Sequence, residues 1–157
     1  MKLLTTLLCS AFLIASFSLP VFAEKAVPTP APDAHAETEL GENMSAISKA
    51  FKKLRSQVGD PTKNAESLQL VAILHEKAEA SLKLVPEKAA DIPAADQPKF
   101  TADFAVGMKA LIADIAKLKA ALQAGDNEEA AAQLEALGNA QKEGHKEFRK
   151  KKPQPKK

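Results

Sequence analysis

Four stretches of this chain repeat their apolar residues every three or four positions, and each is closed off by glycine or proline; nothing else constrains the fold as strongly. In the first, about Thr38 to Val58, the apolar residues are Leu40, Met44, Ile47, Phe51, Leu54 and Val58. Their spacing draws one stripe along a helix, with Lys49, Lys52, Lys53 and Arg55 facing away. Gly59-Asp60-Pro61 should end it, the glycine relieving strain at the terminus and the proline unable to continue the ladder. The second, about Thr62 to Val85, carries Leu68, Val71, Leu74 or His75, Ala78 and Leu82. After a long connection over Pro86 to Gln97, the third begins near Pro98 and runs through Phe100, Phe104, Met108, Leu111, Ile115, Leu118 and Leu122. Gly125 suits a left-handed cap, and Asp126 or Asn127 can cap the fourth helix, whose stripe is Ala130, Leu134, Leu137, Gln141, His145 and Phe148. Four amphipathic helices with short links predict an all-α fold, an antiparallel up-down-up-down four-helix bundle over residues 38–150.

The ends read differently. Lys2 followed by the apolar Leu3 to Leu19, with small residues around Val21-Phe22-Ala23, has the form of an export signal cut after Ala23, so residues 1–23 are expected to be removed and the protein to be periplasmic. Cys9, the single cysteine, leaves with that signal. The mature chain then has no disulfide, no thiolate metal site and no cysteine for covalent cofactor attachment. Residues 24–37 form an Ala/Pro-rich linker in which Pro28, Pro30 and Pro32 alternate and block a helix, and His35 within it is expected to be solvated. Residues 151–157 form a basic tail broken by Pro153 and Pro155. Of 22 Lys and Arg, Lys2 leaves with the signal, so 21 face 20 Asp and Glu. That balance argues against a nucleic-acid binder, and the bounded apolar leader argues against stable membrane insertion after cleavage.

Two stripe residues stand out chemically. Met44 lies near the start of the first helix and His145 near the end of the last. In an up-down-up-down bundle those ends share a pole, and each residue sits about 9 Å from it at a rise of about 1.5 Å per residue. A Met on an apolar stripe is by itself core filler, and a lone His can be half-buried near the negative end of its helix. Together, at one depth on neighbouring helices, a thioether and an imidazole form an axial pair for haem iron. Leu40 and Ile47 flank Met44 by a turn; Phe104 and Met108 line the third helix at the same pole; Gly107 leaves room for a flat ligand; and Arg149 could pair with a propionate. His75 lies about 15 Å deep, too far in to face His145, and reads as a surface or polar-core residue.

These residues resemble the cytochrome b562 family, itself a standard up-down-up-down bundle. The likeness covers about Ala36 to Lys150. It rests on Leu40-Gly41-Glu42-Asn43-Met44, on Phe104 with Gly107, on Gly125 followed by Glu128-Glu129-Ala130, and on His145-Lys146-Glu147-Phe148-Arg149. The resemblance implies non-covalent haem b, Met44 and His145 as its axial ligands and Arg149 as a propionate partner. Gln141 stands where the family often has a basic residue, Met108 where an aromatic can pack on the haem, and Gly144 where an aromatic precedes the His.

The expectation is an exported single-electron carrier rather than an enzyme, working as a monomer with an unidentified redox protein or small electron donor or acceptor. With both axial positions filled there is no open site for oxygen chemistry, and the chain has no paired-carboxylate pocket, Ser-His-Asp set or Gly-rich phosphate loop. The alternatives are a haem-free periplasmic binding or chaperone-like bundle, and a copper or other metal site at Met44 and His145, for which further soft or imidazole ligands are few.

Overall fold

The computed structural model describes residues 38–150; the expected export signal (1–23), linker (24–37) and basic tail (151–157) lie outside them. Four helices follow in order: α1 (Glu39–Arg55), α2 (Asn64–Ser81), α3 (Gln97–Ala124) and α4 (Asn127–Phe148). Consecutive helices pack side by side, α1 on α2, α2 on α3 and α3 on α4, which is the antiparallel up-down-up-down four-helix bundle.

Local chemistry sets most of the boundaries. Thr38 is extended and its hydroxyl accepts from the Gly41 N–H at 3.2 Å, opening α1, while Glu39 and Glu42 sit at the positive end of the helix and Lys52, Lys53 and Arg55 at the negative end. The end of α1 differs from expectation. Among the described residues only Gly125 has positive φ, so Gly59 supplies no left-handed cap. The chain instead unwinds through successive turns over Ser56 to Asp60. The Asp60 carboxylate then accepts from the Thr62 N–H at 2.9 Å and hydroxyl at 2.7 Å, starting a short 3-10 turn at Pro61–Lys63. The connection after α2 is likewise not all loop, since Glu87–Asp91 forms another 3-10 turn.

The α3–α4 corner matches its sequence signal. Gly125 sits at φ 74°, the Asp126 N–H reaches back to Ala121 O at 3.0 Å, and the Asp126 carboxylate accepts from the Glu129 N–H at 2.9 Å. A left-handed glycine followed at once by an N-cap reverses the chain in two residues, so α4 must lie antiparallel against α3.

The core runs the length of the bundle, with Leu54, Val71, Leu74, Ile115, Leu118 and Leu137 fully buried. The inner face of α2 is rotated slightly from the expected stripe: Ser67, Leu70, Val71, Leu74, Ala78 and Ser81 are buried, while Leu68 and Leu82 are only partly covered. Small serines at the contact let helices approach, and both are satisfied, Ser67 by Gln57 Nε2 at 3.0 Å and Ser81 by donating to Lys77 O at 2.8 Å. His75 is half-exposed and lies 3.4 Å from Glu79.

Candidate functional site

The two expected ligands, Met44 and His145, stand on α1 and α4, the helices that border the fourth side of the bundle. Unlike the other three, it is joined through side chains rather than by close backbone approach. At one pole the Asn127 amide donates to Val58 O at 2.6 Å and pairs reciprocally with Asn64 of α2, at 2.8 and 3.1 Å. Midway, the buried Phe51 ring lies over Gly138, where a Cβ would stand 3.3 Å from Phe51 Cζ. Between these points a hollow of about 270 Å³ is lined by residues including Arg55, Val58, Leu134 and Gly138.

The Phe51–Gly138 contact sets the register of two antiparallel helices. Seven residues are close to two full turns, so positions seven apart lie on the same flank. Stepping back seven from Phe51 reaches Met44, and stepping forward seven from Gly138 reaches His145. The two residues therefore lie level with one another on facing flanks, about 10.5 Å from the Phe51–Gly138 contact. The 270 Å³ hollow is on the opposite side of Phe51 from this pair.

Burial around the pair is uneven. Met44 is half-covered and packs against the core, as does Leu40; Ile47, Phe104 and Met108 are buried. His145 is exposed. On the last turns of α4 the partly covered residues are Gln141, Gly144 and Phe148, and His145 stands one step round from them. The expected stripe thus carries Gly144 and Phe148 inward and leaves His145 at the rim, because it is Phe148 that packs onto α3. Although the residue as a whole is exposed, partial loss of water around its ring, and then the charge of Arg149, hold the His145 imidazole below its ordinary value. Arg149 is exposed just beyond the helix, its N–H donating to His145 O at 3.1 Å.

Two features here escaped the sequence reading. Asn43 is 7% exposed, and its Nδ2 is a buried donor with no partner. Its sequence signal was a polar residue four positions before Ile47, within the width of the α1 stripe. The second concerns Gly107: the space beside it was expected to suit a flat ligand, but a Cβ there would lie 3.8 Å from Phe148 Cε2. The Phe148 ring takes that space.

The donor set suits haem b. A half-covered thioether on α1 and, on the last turns of α4, an imidazole whose proton affinity is lowered are the donors; Leu40, Ile47, Phe104 and Met108 supply apolar surroundings near the thioether; and an unsatisfied buried donor belongs to the residue next to Met44. No group of three or more His, Cys, Asp or Glu gathers into a metal cluster among the described residues. The sequence model for cytochrome b562 matches residues 39–149, a span that takes in all four helices, whereas no curated protein matches the chain. Bundle topology and family match agree over the same residues, and the chain belongs to the cytochrome b562 family.

Proposed function

We propose that this protein is an exported b-type cytochrome that holds one non-covalent haem b between Met44 and His145 and passes single electrons. The observation that supports this reading is the packing of Phe51 over Gly138, because a step of seven residues along each helix from that contact leads to Met44 on α1 and to His145 on α4. Met44 offers its sulfur from the partly covered flank of α1, and His145 a ring nitrogen from the last turns of α4. Partial loss of water around the ring, and then the neighbouring Arg149 charge, lower the proton affinity of the imidazole. Leu40, Ile47, Phe104 and Met108 exclude water, and Arg149 supplies a cation for a propionate. When bound, the haem supplies a one-electron couple whose reduced state thioether ligation favours.

The exposed rim at His145 offers a short route for electrons to an unidentified redox protein or small donor or acceptor. No helix among the described residues is long and apolar enough to cross a membrane. Export to the periplasm rests on the leader sequence, and the protein is read as a monomer. The competing reading, a haem-free bundle that binds a partner along this seam, draws on the 270 Å³ hollow.

One titration separates the two. The mature chain with added haem is expected to give a low-spin, six-coordinate b-type spectrum, which Met44→Ala turns high-spin and His145→Ala largely abolishes. Absence of saturable haem uptake by the parent chain would overturn the cytochrome reading.

A further inference from the structure

The end of α4 carries the His145 imidazole, and a helix end is where a ligand is hardest to hold still. The last four carbonyls of a helix have no partner within it, and terminal turns fray. Gly144 adds backbone freedom just before His145, with nothing within 4 Å of where its Cβ would be. Arg149 already has extended backbone. Helix propensity alone would leave this turn loose.

Three contacts hold it. The Phe148 ring lies 5.3 Å from that of Phe100 at 56° and 5.4 Å from that of Phe104 at 73°, wedged against the start of α3 beside the bare backbone of Gly107. Lys88, from the 3-10 turn between α2 and α3, donates to Glu147 O, one of the orphaned carbonyls, and its ammonium sits 5.9 Å from the centre of the Phe100 ring. Lys150 pairs with Asp91 of the same turn at 3.1 Å. The α2–α3 connection and α3 thus converge on the residues immediately after His145.

We propose that Phe148 and Lys88 are positioning residues for His145. They clasp the final turn of α4 before any haem is present, so the imidazole is already oriented when haem arrives. This rests on the haem reading above. Phe148 acts through its ring: one tilted and one edge-on aromatic contact fix one side of the turn, and the residue lies three positions after His145, almost one helical turn away. Lys88 acts through the Glu147 carbonyl, closing the turn from its C-terminal side.

The test uses the full mature chain. In the haem-free protein, amide exchange over residues 144–149 is expected to speed up about tenfold in Phe148→Ala and in Lys88→Met, with the middle of the bundle unchanged, since loss of a ring pair or cap is felt locally. With haem added, both variants are expected to bind about tenfold more weakly and to show a high-spin fraction absent from the parent, as His145 spends time off the iron. Phe148→Tyr, which keeps the ring, should restore the low-spin spectrum; a merely structural role would not move the spin state at saturating haem. If Phe148→Ala and Lys88→Met bind haem as tightly as the parent and remain wholly low-spin, the clasp is wrong while the cytochrome reading stands. If Phe148→Ala does not fold, Lys88→Met alone decides between these results. If the parent takes up no haem, the cytochrome reading falls and this proposal falls with it.

Discussion

The Phe51–Gly138 contact sets the α1–α4 register, and alanine at the helical glycines tests it. Within a helix, alanine is more stable than glycine by about 0.8–1.0 kcal/mol, because glycine gives up more backbone freedom on folding. At Gly144 nothing lies within 4 Å of the new Cβ. Four residues from the helix end, Gly144→Ala should therefore stabilise the haem-free protein by about 0.5–1 kcal/mol. At Gly138 the new Cβ would stand 3.3 Å from Phe51 Cζ and 3.7 Å from Cε1. The Phe51 ring is buried and has to yield by a few tenths of an ångström. Forcing a methyl into packed surroundings costs about 1–3 kcal/mol, which cancels or exceeds the helical gain. Gly138→Ala is thus expected to be neutral to about 2 kcal/mol destabilising. Urea titration followed by helical circular dichroism reads both. Thermal midpoints should separate by several degrees, given about 4 °C per kcal/mol for a domain of this size. Phe51→Leu, which shortens the opposing side chain, should return the helical gain to Gly138→Ala when the two are combined. If Gly138→Ala stabilises as much as Gly144→Ala, Phe51 does not pack on α4 as described, and the register that sets Met44 level with His145 loses its support.

Two further outcomes follow from single groups. Asn43→Leu keeps the branching of the side chain and removes the unpartnered Nδ2, so the unfolding free energy of the haem-free protein from denaturant titration should rise by about 1 kcal/mol; a loss of that size would mean that the amide is satisfied. The folded protein holds His145 below its ordinary value of 6.5, so the unfolded chain takes up the proton first as pH falls. Stability of the haem-free protein should therefore be fully present above about pH 6.5 and decline as pH drops toward the lower folded value. His145→Gln should flatten that slope in unfolding curves measured across the range, and an unchanged slope would locate the acid sensitivity elsewhere.

Much of the fold is written in local chemistry. The 3,4 spacing of apolar residues, the Thr38 and Asp126 caps and the left-handed Gly125 depend on residues only a few positions apart, so a sequence read alone exposes them. Helix number, antiparallel order and the common pole of Met44 and His145 follow from those signals. The sequence misleads where a local signal has two physical outcomes. Gly59 was expected to relieve strain at the end of α1, but its φ is not positive and the helix unwinds through turns before Asp60 caps the next segment.

What the tertiary structure alone decided is which side of each stripe faces which neighbour. A helical stripe spans more than one position per turn, and only contact chooses among them. Asn43 proved to be inside, and His145 was left at the rim. Phe148 took the space beside Gly107, its ring packing against those of Phe100 and Phe104 of α3. The register of α1 against α4 is likewise not a property of either helix. It comes from Phe51 settling into the gap at Gly138, a contact between residues far apart in the chain that no local periodicity encodes.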